Sequence, residues 1–580
     1  MPFFTNGMNN KNSPLSRIKL LSVCVFIFSL VLIFKLYLVQ IVHSESLSDQ
    51  ADKQYYRLQP NIFNRGSIYF KNKDGTLLPA AIQKIGFSIS INPSVISNYE
   101  YVYKELSNFV KIDEEFFVSK MKKGGTYQKV AERVDIENAE EIRKLNLKGV
   151  DVEQEKWRFY PAGQTAARVL GIVAYDDDEL AGRYGIERYY EDVLKRDNSA
   201  AFVNFFAEVF ANVKESVSSD GSKSKKEGDV VTTLEPVIQS FLEEKLELLN
   251  QKWNSEYSGG IIIDPATGEI KAMGVFPSFD PNNFHDEESS TIFSNPMVEN
   301  VYEMGSIVKP ITMAAGIDSG AVTSDSVYLD TGTVTLNNKQ FSNYDGVARG
   351  LVSMQEVLNS SLNTGAAYVV SQMGKEKFAE YMFDFGLGEV TGIDLPNEAM
   401  NLVDNLKSNR DLEYATASFG QGIALTPVTM VRALSVLANG GMLINPHLVQ
   451  KINYKTGLSK SVSYGVEKRV IKKETSEEIT RMLVKVVDEA LLGGSVKMPN
   501  YSIAAKTGTA QIAKDKERGY YEDRFLHTFF GYFPAFQAKF LVFLFTYDPK
   551  IVKYSSESLT PTFVDLTKFL ISYQAIPPDR

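Results

Sequence analysis

The chain has 580 residues, 44% of them apolar and 23% charged, with a formal net charge of -9 at pH 7. This length exceeds one hydrophobic core, and the composition is that of a folded protein and not of a disordered one. The acidic balance and the lack of a basic block argue against a nucleic-acid partner, and the single cysteine, Cys24, excludes disulfides and thiolate metal sites downstream.

An apolar run near the N-terminus predicts a membrane anchor. Leu20–Val42 as a helix would be roughly 35 Å long, enough to cross a hydrocarbon core of about 30 Å. Three basic residues and no acidic one precede the run, which predicts a cytoplasmic N-terminus. A cleaved signal peptide is the alternative, but no small-x-small cleavage site follows. We predict a cytoplasmic tail (1–17) and an uncleaved single-pass signal anchor (18–42), with the remaining chain outside the cytoplasm.

Two domains are predicted beyond the anchor. The first, residues 43–225, mixes β-like runs such as 85–93 with charged helical stretches such as 136–147. A Lys/Ser/Gly-rich segment, 216–229, is the candidate linker or exposed loop. The second domain, residues 226–580, begins with a strand and an amphipathic helix.

The second domain has strand signals at both ends and a helix-rich middle. Residues 259–276 have the pattern of a hairpin, with an Asp-Pro-x-x-Gly turn between apolar strands. Further strands are predicted at 501–513, 527–534 and 540–545. This distribution predicts an α+β domain, an antiparallel sheet packed against helices.

The motif Ser-x-x-Lys occurs four times, beginning at Ser16, Ser119, Ser222 and Ser306. The first lies on the predicted cytoplasmic flank, the second among basic residues and the third in the predicted linker. Only Ser306 precedes an apolar segment with the pattern of a buried helix.

Ser306 and Lys309 would be neighbours on one face of that helix. A buried lysine that acts as a base near pH 7 needs a lowered pKa, and the shift corresponds to a free energy of about 4 kcal/mol. Burial and a neighbouring cation can supply this free energy. Such a lysine activates a serine without histidine. The alternative is a serine helix cap with a lysine that reaches solvent.

Two further motifs follow, and each has a competing copy. Ser361-Leu362-Asn363 offers a hydroxyl that can relay a proton and an amide that can bind a peptide, and Ser90-Ile91-Asn92 also fits. Lys506-Thr507-Gly508-Thr509 lies within a strand signal, where a glycine indicates that another backbone comes close, such as an extended peptide substrate. Lys455-Thr456-Gly457 has the surroundings of a hairpin turn.

These three motifs, in this order, resemble those of penicillin-binding proteins and class A β-lactamases. Leu362 in the middle of the second motif is less compatible with the class A β-lactamases. The chain as a whole resembles a class B penicillin-binding protein, a monofunctional peptidoglycan D,D-transpeptidase. Segments outside the motifs also resemble the family: 65–68 with 74–75, 159–171, 182–191, 418–427 and 437–449.

The resemblance implies an elongated mixed α/β pedestal domain and a β-lactamase-like transpeptidase domain. It implies that Ser306 is the nucleophile and Lys309 its base, and that Ser361 shuttles protons while Asn363 holds the substrate amide. Lys506, with the hydroxyls of Thr507 and Thr509 beside Gly508, would bind the substrate carboxylate. The backbone amides of Ser306 and Thr509 would form the oxyanion hole, and no metal or cofactor is expected.

The implied substrates are stem peptides that end in D-Ala-D-Ala, with β-lactams as inhibitors. The segment around Glu303 and the Ser360-Ser361 pair resemble the septal type more than the elongation type, which stays the alternative. The implied partners are a polytopic membrane glycosyltransferase and other proteins of the division complex. Lys35 either contacts the helices of the glycosyltransferase or reaches the membrane surface. A β-lactamase, a β-lactam receptor and a catalytically silent scaffold are the other interpretations.

Two departures from the family pattern stand out. Met304 occupies a position where the family usually has proline, and residues 69–75 replace a common Asp-Arg-Asn-Gly sequence. Neither removes a catalytic group, and the second predicts altered pedestal contacts.

Overall fold

The computed structural model describes residues 26–30, 32, 35, 64–176, 179–196, 227–465, 468–514, 517 and 519–580. The predicted tail, most of the predicted anchor and residues 216–226 of the predicted linker lie outside these ranges. Within them, no helix combines the length and apolar character needed to span a bilayer. Contacts divide the chain into Met1–Phe63 and Asn64–Arg580, and the description below concerns the second unit.

The N-terminal part of this unit is a mixed α/β structure. Its strands are β1 (Ile68–Lys71), β2 (Leu77–Ile91), β3 (Gln128–Val134), β4 (Val150–Phe159), β5 (Val173–Asp176) and β6 (Glu179–Gly182). Its helices are α1 (Tyr99–Ser107), α2 (Glu114–Lys123), α3 (Ile136–Lys144), α4 (Ala167–Leu170), α5 (Gly185–Tyr189) and α6 (Glu191–Leu194). The predicted strand at 85–93 and helix at 136–147 are confirmed.

Polar side chains at the N-cap position fix where three of these helices begin. Asn98, Asp113 and Asp135 each precede a helix and accept a hydrogen bond from a backbone N–H of its first turn. A carbonyl or carboxylate oxygen at this position satisfies a donor that has no partner within the helix.

The C-terminal part holds the remaining elements. Its strands are β7 (Gly228–Thr232), β8 (Tyr257–Ile263), β9 (Ile270–Phe276), β10 (Val327–Asp330), β11 (Thr333–Leu336), β12 (Lys339–Ser342), β13 (Gly350–Ser353), β14 (Met442–Leu443), β15 (Val449–Tyr454), β16 (Ser459–Ser461), β17 (Lys468–Arg469), β18 (Ala504–Ala513), β19 (Tyr520–Phe533) and β20 (Phe540–Tyr547). Its helices are α7 (Pro236–Trp253), α8 (Pro296–Glu299), α9 (Lys309–Asp318), α10 (Met354–Asn359), α11 (Asn363–Met373), α12 (Lys375–Asp384), α13 (Asp411–Ala417), α14 (Pro427–Ala438), α15 (Lys473–Lys485), α16 (Ser555–Ser558) and α17 (Thr560–Gln574).

A five-stranded antiparallel sheet in the order β18-β19-β20-β8-β9 is the centre of this part. Neighbouring side chains alternate between its faces: Phe529 belongs to a buried cluster with residues of α7 and α17, whereas Phe530 belongs to one with residues of α9, α14 and α15. The predicted hairpin at 259–276 and the predicted α+β arrangement are confirmed. β18 lies at the edge of the sheet, so one side of its backbone has no neighbouring strand among those that the structure describes.

A second sheet joins strands from both predicted domains. Its order is β16-β15-β7-β1-β2-β3, with β4 also paired to β2. β1 pairs with β7 in parallel, and β7 pairs with β15, which arrives more than 200 residues later in the chain. The segment Lys455-Thr456-Gly457 connects β15 to β16 as the predicted hairpin turn.

A cluster of buried charged side chains connects two of the segments that resemble the family, 65–68 and 182–191. The Arg65 Nε and the Arg158 Nε each donate to the Glu187 carboxylate at 2.6 Å. Arg65 also pairs with Glu191 at 2.7 Å, and Arg158 donates to the carbonyl of Gly66. Charges removed from water in this way are stable only while each keeps its partner.

Replacing Glu187 by glutamine is expected to lower the free energy of unfolding by about 3–5 kcal/mol, because two buried guanidinium groups lose a shared counter-charge. Glu141→Gln, which breaks the exposed pair with Lys144, is the control and should leave the unfolding midpoint unchanged. Urea-induced unfolding of both proteins measures the difference. Equal midpoints would contradict a structural role for the cluster.

The unusual segment 69–75 contacts the C-terminal part of the chain. The Lys71 Nζ donates to Gln450 at 2.8 Å, and the Lys73 Nζ donates to the carbonyl of Tyr573 at 2.6 Å. A second link is the buried Asp394 carboxylate, which accepts from the Tyr190 hydroxyl at 3.3 Å. The N-terminal and C-terminal parts of this unit are therefore joined by polar contacts as well as by a shared sheet.

Candidate active site

Ser306 lies in a short turn that leads into a buried helix. Residues Gly305–Val308 form a 3₁₀ turn, and α9 begins at Lys309, with Pro310 in its first turn where no intrahelical donor is needed. Every residue from Lys309 to Gly316 is buried, as the apolar pattern predicts. The α-helix begins three residues after Ser306, which corrects the prediction of a regular helix starting at the serine.

The other copies of this motif lie elsewhere. Ser119 is an exposed residue of helix α2, where its hydroxyl donates to the carbonyl of Phe116. Ser16 and Ser222 lie outside the described residues.

The hydroxyl of Ser361 lies between two buried lysines. The Lys309 Nζ donates to the Ser361 Oγ at 3.1 Å and to the Ser361 carbonyl oxygen at 2.5 Å. The Lys506 Nζ donates to the same Oγ at 3.1 Å. A hydroxyl that contacts both amines can take a proton from one group and pass it to another.

Burial weakens the hold of both lysines on their protons. It lowers the pKa of Lys309 well below its usual range, and the nearby Lys506 charge lowers it further. Burial lowers the pKa of Lys506 to about 8. The direction agrees with the prediction that Lys309 is a base and Lys506 a neighbouring cation.

Ser361 is held in an uncommon backbone conformation between two helices. Its φ is +53°, in the left-handed region, which costs a residue other than glycine about 1–2 kcal/mol. Asn363 is the first residue of α11, and its Nδ2 donates to the carbonyl of Ser342 at 2.8 Å. Among the described residues the Asn363 side chain makes no other hydrogen bond, so its second N–H and its carbonyl can bind a substrate.

Strand β18 forms the opposite side of the site. Thr507 and Thr509 are half-buried, whereas Lys506 is 3% exposed. The Thr509 hydroxyl is held by Ser555, whose backbone N–H donates to it at 3.2 Å. Because β18 is an edge strand, an extended peptide can pair with it as an added strand.

The glycine in β18 is required by the protein's own backbone. A Cβ at Gly508 would lie 2.8 Å from the Met304 carbonyl oxygen and 2.3 Å from the Thr528 Oγ1. We predicted close approach by a substrate at this position, and the structure instead places the turn before Ser306 there. The Thr528 hydroxyl donates to the same Met304 carbonyl at 2.9 Å and holds that turn against the sheet.

Two further glycines, Gly305 and Gly420, bring the expected oxyanion donors together. Gly305 has φ +63°, and a Cβ there would lie 2.9 Å from the Thr509 carbonyl oxygen. The Gly305 N–H donates to the carbonyl of Gly420, in the segment 418–427 that resembles the family. Ser306 and Thr509 thus lie on two backbone segments in direct contact.

A cleft of about 1030 Å³ unites these residues. Its lining includes six of the predicted site residues, namely Ser306, Ser361, Asn363, Lys506, Thr507 and Thr509. Lys309 lies buried behind Ser361, and Gly508 lies under the Ser306 turn. The competing Ser90–Asn92 copy lies around the end of β2, in the other part of the chain.

Sequence reasoning missed Ser342, Thr528 and Ser555 as supports of the site. Each acts through a hydrogen bond to a residue that is 21 to 224 positions away, and none belongs to a recognisable motif. The segment 418–427 was identified only by its resemblance to the family, and the contact of its Gly420 with Gly305 was not predicted.

The rate at which Ser306 is acylated is expected to follow a bell-shaped pH profile. It rises with pH as Lys309 loses its proton, at a pKa far below the usual value of about 10.4. It falls above about pH 8 as Lys506 loses the positive charge that attracts a carboxylate.

Lys506→Arg separates the two limbs of the profile, because arginine stays protonated throughout this range. The descending limb should move upward in pH, while the ascending limb stays in place. Stopped-flow acylation by a chromogenic β-lactam measures both limbs. A descending limb that is unchanged in Lys506→Arg would contradict the assignment.

Two protein-family models match the chain. A family model described as the penicillin-binding protein transpeptidase domain matches residues 259–568, and one described as the penicillin-binding protein dimerisation domain matches residues 62–233. Stage V sporulation protein D of Bacillus subtilis is 31% identical over 545 residues, which cover 92% of this chain and 82% of that protein.

Two other relatives are named as peptidoglycan D,D-transpeptidases. FtsI of Buchnera aphidicola is 25% identical over 573 residues, covering 96% of this chain and 94% of the relative. MrdA of Acinetobacter baumannii is 28% identical over 535 residues, covering 84% and 77%. The crystal structure of penicillin-binding protein 2X from Streptococcus thermophilus shares the fold, with a TM-score of 0.70, 19% identity and coverage of 87% of this chain and 80% of that one.

Proposed function

The chain belongs to the class B penicillin-binding proteins and is a peptidoglycan D,D-transpeptidase, and on this basis we propose that it cross-links septal peptidoglycan through a Ser306 acyl-enzyme. The observation that carries the chemistry is the Ser361 hydroxyl, 3.1 Å from both the Lys309 Nζ and the Lys506 Nζ. This arrangement supplies a base, a proton relay and a cation around one cleft.

Acylation begins when the Ser306 Oγ attacks the carbonyl between the two terminal D-alanines, while the neutral Lys309 amine takes the hydroxyl proton. The Ser306 and Thr509 amides stabilise the negative oxygen, each contributing about 3–4 kcal/mol. The C–N bond then breaks, and the proton passes from Lys309 through Ser361 to the leaving nitrogen. D-alanine departs and leaves an ester on Ser306.

Deacylation repeats these steps with an amine. The amino group of a second stem peptide attacks the ester carbonyl and gives its proton to Lys309. The ester bond breaks, the Ser306 oxygen recovers a proton, and the new amide is the cross-link. Lys506 and the Thr507 and Thr509 hydroxyls hold the terminal carboxylate of the donor during the first step.

A donor analogue with a thioester in place of the last peptide bond tests this reaction. With an amine acceptor present, the purified protein should form the donor–acceptor amide and release one thiol for each amide. Release of the hydrolysed donor alone would favour the hydrolytic alternative, a β-lactamase-like enzyme, and rapid turnover of penicillin would support it. No release of thiol would favour the silent scaffold.

The septal role rests on the resemblance around Glu303 and the Ser360-Ser361 pair. Glu303 accepts from the Gly422 N–H at 3.0 Å and from the Tyr520 hydroxyl, so this residue ties the Ser306 turn to two other segments of the site. Side-wall elongation is the alternative within the family. A fluorescent fusion in growing cells should concentrate at the septum, and a uniform side-wall signal would contradict the proposal.

Wall synthesis during sporulation is the second candidate role, because Stage V sporulation protein D is 31% identical over 92% of the chain. A fusion that becomes visible only in sporulating cells would favour it over the septal role.

We further propose that residues 18–42 anchor the protein in the cell membrane, with the catalytic domain outside the cytoplasm. The apolar run and the basic residues before it support this orientation. The proposed partner is a polytopic glycosyltransferase that contacts the anchor and the pedestal. Exchange of residues 18–42 for an unrelated spanning helix should then reduce co-purification of that partner, and unchanged co-purification would exclude the anchor as a contact.

A further inference from the structure

A buried carboxylate that none of the proposed steps uses lies beside the Asn363 side of the cleft. Asp330, at the end of β10, is 1% exposed. It accepts from the Thr364 Oγ1 at 2.7 Å and from the Asn343 Nδ2 at 3.0 Å, and also from two backbone N–H groups, those of Gly332 and Arg349. These hydrogen bonds keep the pKa of the Asp330 carboxyl below its usual value despite burial.

The partners of Asp330 hold both segments that fix Asn363. Thr364 is the next residue of α11, and its backbone N–H donates to the Asn343 Oδ1 at 3.2 Å. Asn343 follows Ser342, whose carbonyl accepts from the Asn363 Nδ2 at 2.8 Å. Asp330 therefore fastens the start of α11 to the end of β12, and Asn363 is bound between them.

Within the part of the chain that the structure describes, the bond to Ser342 is the one hydrogen bond that orients the Asn363 side chain. Asn363 is half-buried at the first turn of α11, and the preceding Leu362 supplies no side-chain cap to that helix. A small rotation of the first turn would change where the remaining Asn363 N–H and carbonyl point. A shift of about 1 Å in a positioning group can lower a rate roughly 100-fold.

We propose that Asp330, acting through Thr364 and Asn343, is a positioning residue that orients the Asn363 amide toward the amide of the donor peptide. The proposal rests on the proposed function, because it assumes that Asn363 binds a substrate amide. It places a determinant of substrate selection outside the three catalytic motifs. Asp330 itself does not contact the substrate.

The test compares two β-lactams within each protein preparation. One is a penicillin with an acylamino side chain, and the other is the penicillin nucleus without its acyl group. Thr364→Val removes the hydroxyl at constant shape, Thr364→Ser keeps it, and Asp330→Asn removes the charge. The measured quantity is the second-order rate constant of acylation, normalised to the fraction of protein that penicillin can label.

Thr364→Val and Asp330→Asn are expected to lower the rate constant for the acylamino penicillin about ten-fold, equivalent to about 1.4 kcal/mol. The constant for the bare nucleus should change less than about two-fold in both variants, and Thr364→Ser should retain the wild-type ratio. A structural defect without positioning lowers both constants together and leaves their ratio unchanged.

An unchanged ratio in both variants would overturn the proposal, whether the absolute rates fall or not. If Thr364→Val does not fold, the ratio in Asp330→Asn decides the question alone. Failure of the proposed function has a different result: the wild-type protein would be acylated by neither compound if it were a silent scaffold, and it would turn penicillin over rapidly if it were a hydrolytic enzyme.

Discussion

The Ser306→Ala protein is expected to form no covalent adduct with labelled penicillin, a reduction larger than that of any other substitution at this site. The only hydroxyl on the turn that meets β18 is removed, while the turn keeps its contacts through Met304 and Gly305. Fluorescence of the denatured protein on a gel measures the adduct. Ser371→Ala, on the exposed side of α11, is the matched control and should label normally.

The adduct also distinguishes Ser306 from its neighbours in the cleft. Ser360 and Ser361 line the same cleft, so a different nucleophile has candidates close by. Normal labelling of Ser306→Ala would contradict the assignment. Loss of growth with stable expression of this variant would in addition separate an enzyme from a scaffold.

Replacing Lys309 by methionine is expected to lower the rate of acylation by about 100- to 10,000-fold, the usual contribution of a general base. Lys309 is 1% exposed, and its amine is held by Ser361. Methionine has a similar length and no proton-accepting group. Stopped-flow acylation by a chromogenic β-lactam measures the rate, and Lys377→Met on the surface of α12 is the control.

The same substitution should not unfold the protein. Burying an amine beside a second lysine costs free energy, which an apolar side chain of similar volume avoids. We therefore expect Lys309→Met to unfold at the same temperature as the wild type or at a higher one. Lost activity together with lost stability would contradict this account, because it would indicate a structural role for the lysine.

Much of the C-terminal fold could be predicted because its signals are local. An Asp-Pro-x-x-Gly turn between apolar strands predicted the β8–β9 hairpin, and uninterrupted apolar residues predicted the buried strand β20. The choice of Ser306 among four copies also rested on a local signal, the apolar segment that follows it.

The sheet that spans both predicted domains could not be predicted in the same way. β1 and β7 are separated by about 160 positions and pair in parallel, and β15 joins more than 200 positions later. No composition or turn signal marks which distant strands pair. Glu187 belongs to a segment identified only by resemblance, and its role depends on Arg65 and Arg158, which lie 122 and 29 positions before it in the chain.

At the site, the residue types could be predicted better than the reasons for them. Gly508 was correctly linked to a close backbone approach, but the approaching backbone is that of Met304. Asp330 carries no motif and lies 33 positions before Asn363, so only the fold brings it to the cleft. Supporting residues of this kind depend on tertiary contacts and leave no periodic signal in the chain.

Identification of the acylated residue tests the central claim most directly. The wild-type protein is mixed with the thioester donor, digested, and its peptides are sequenced by tandem mass spectrometry. The account predicts the donor acyl group on Ser306, and its disappearance as the cross-linked product forms after an amine acceptor is added. An acyl group on any other residue, or a cross-linked product without an adduct on Ser306, would contradict it.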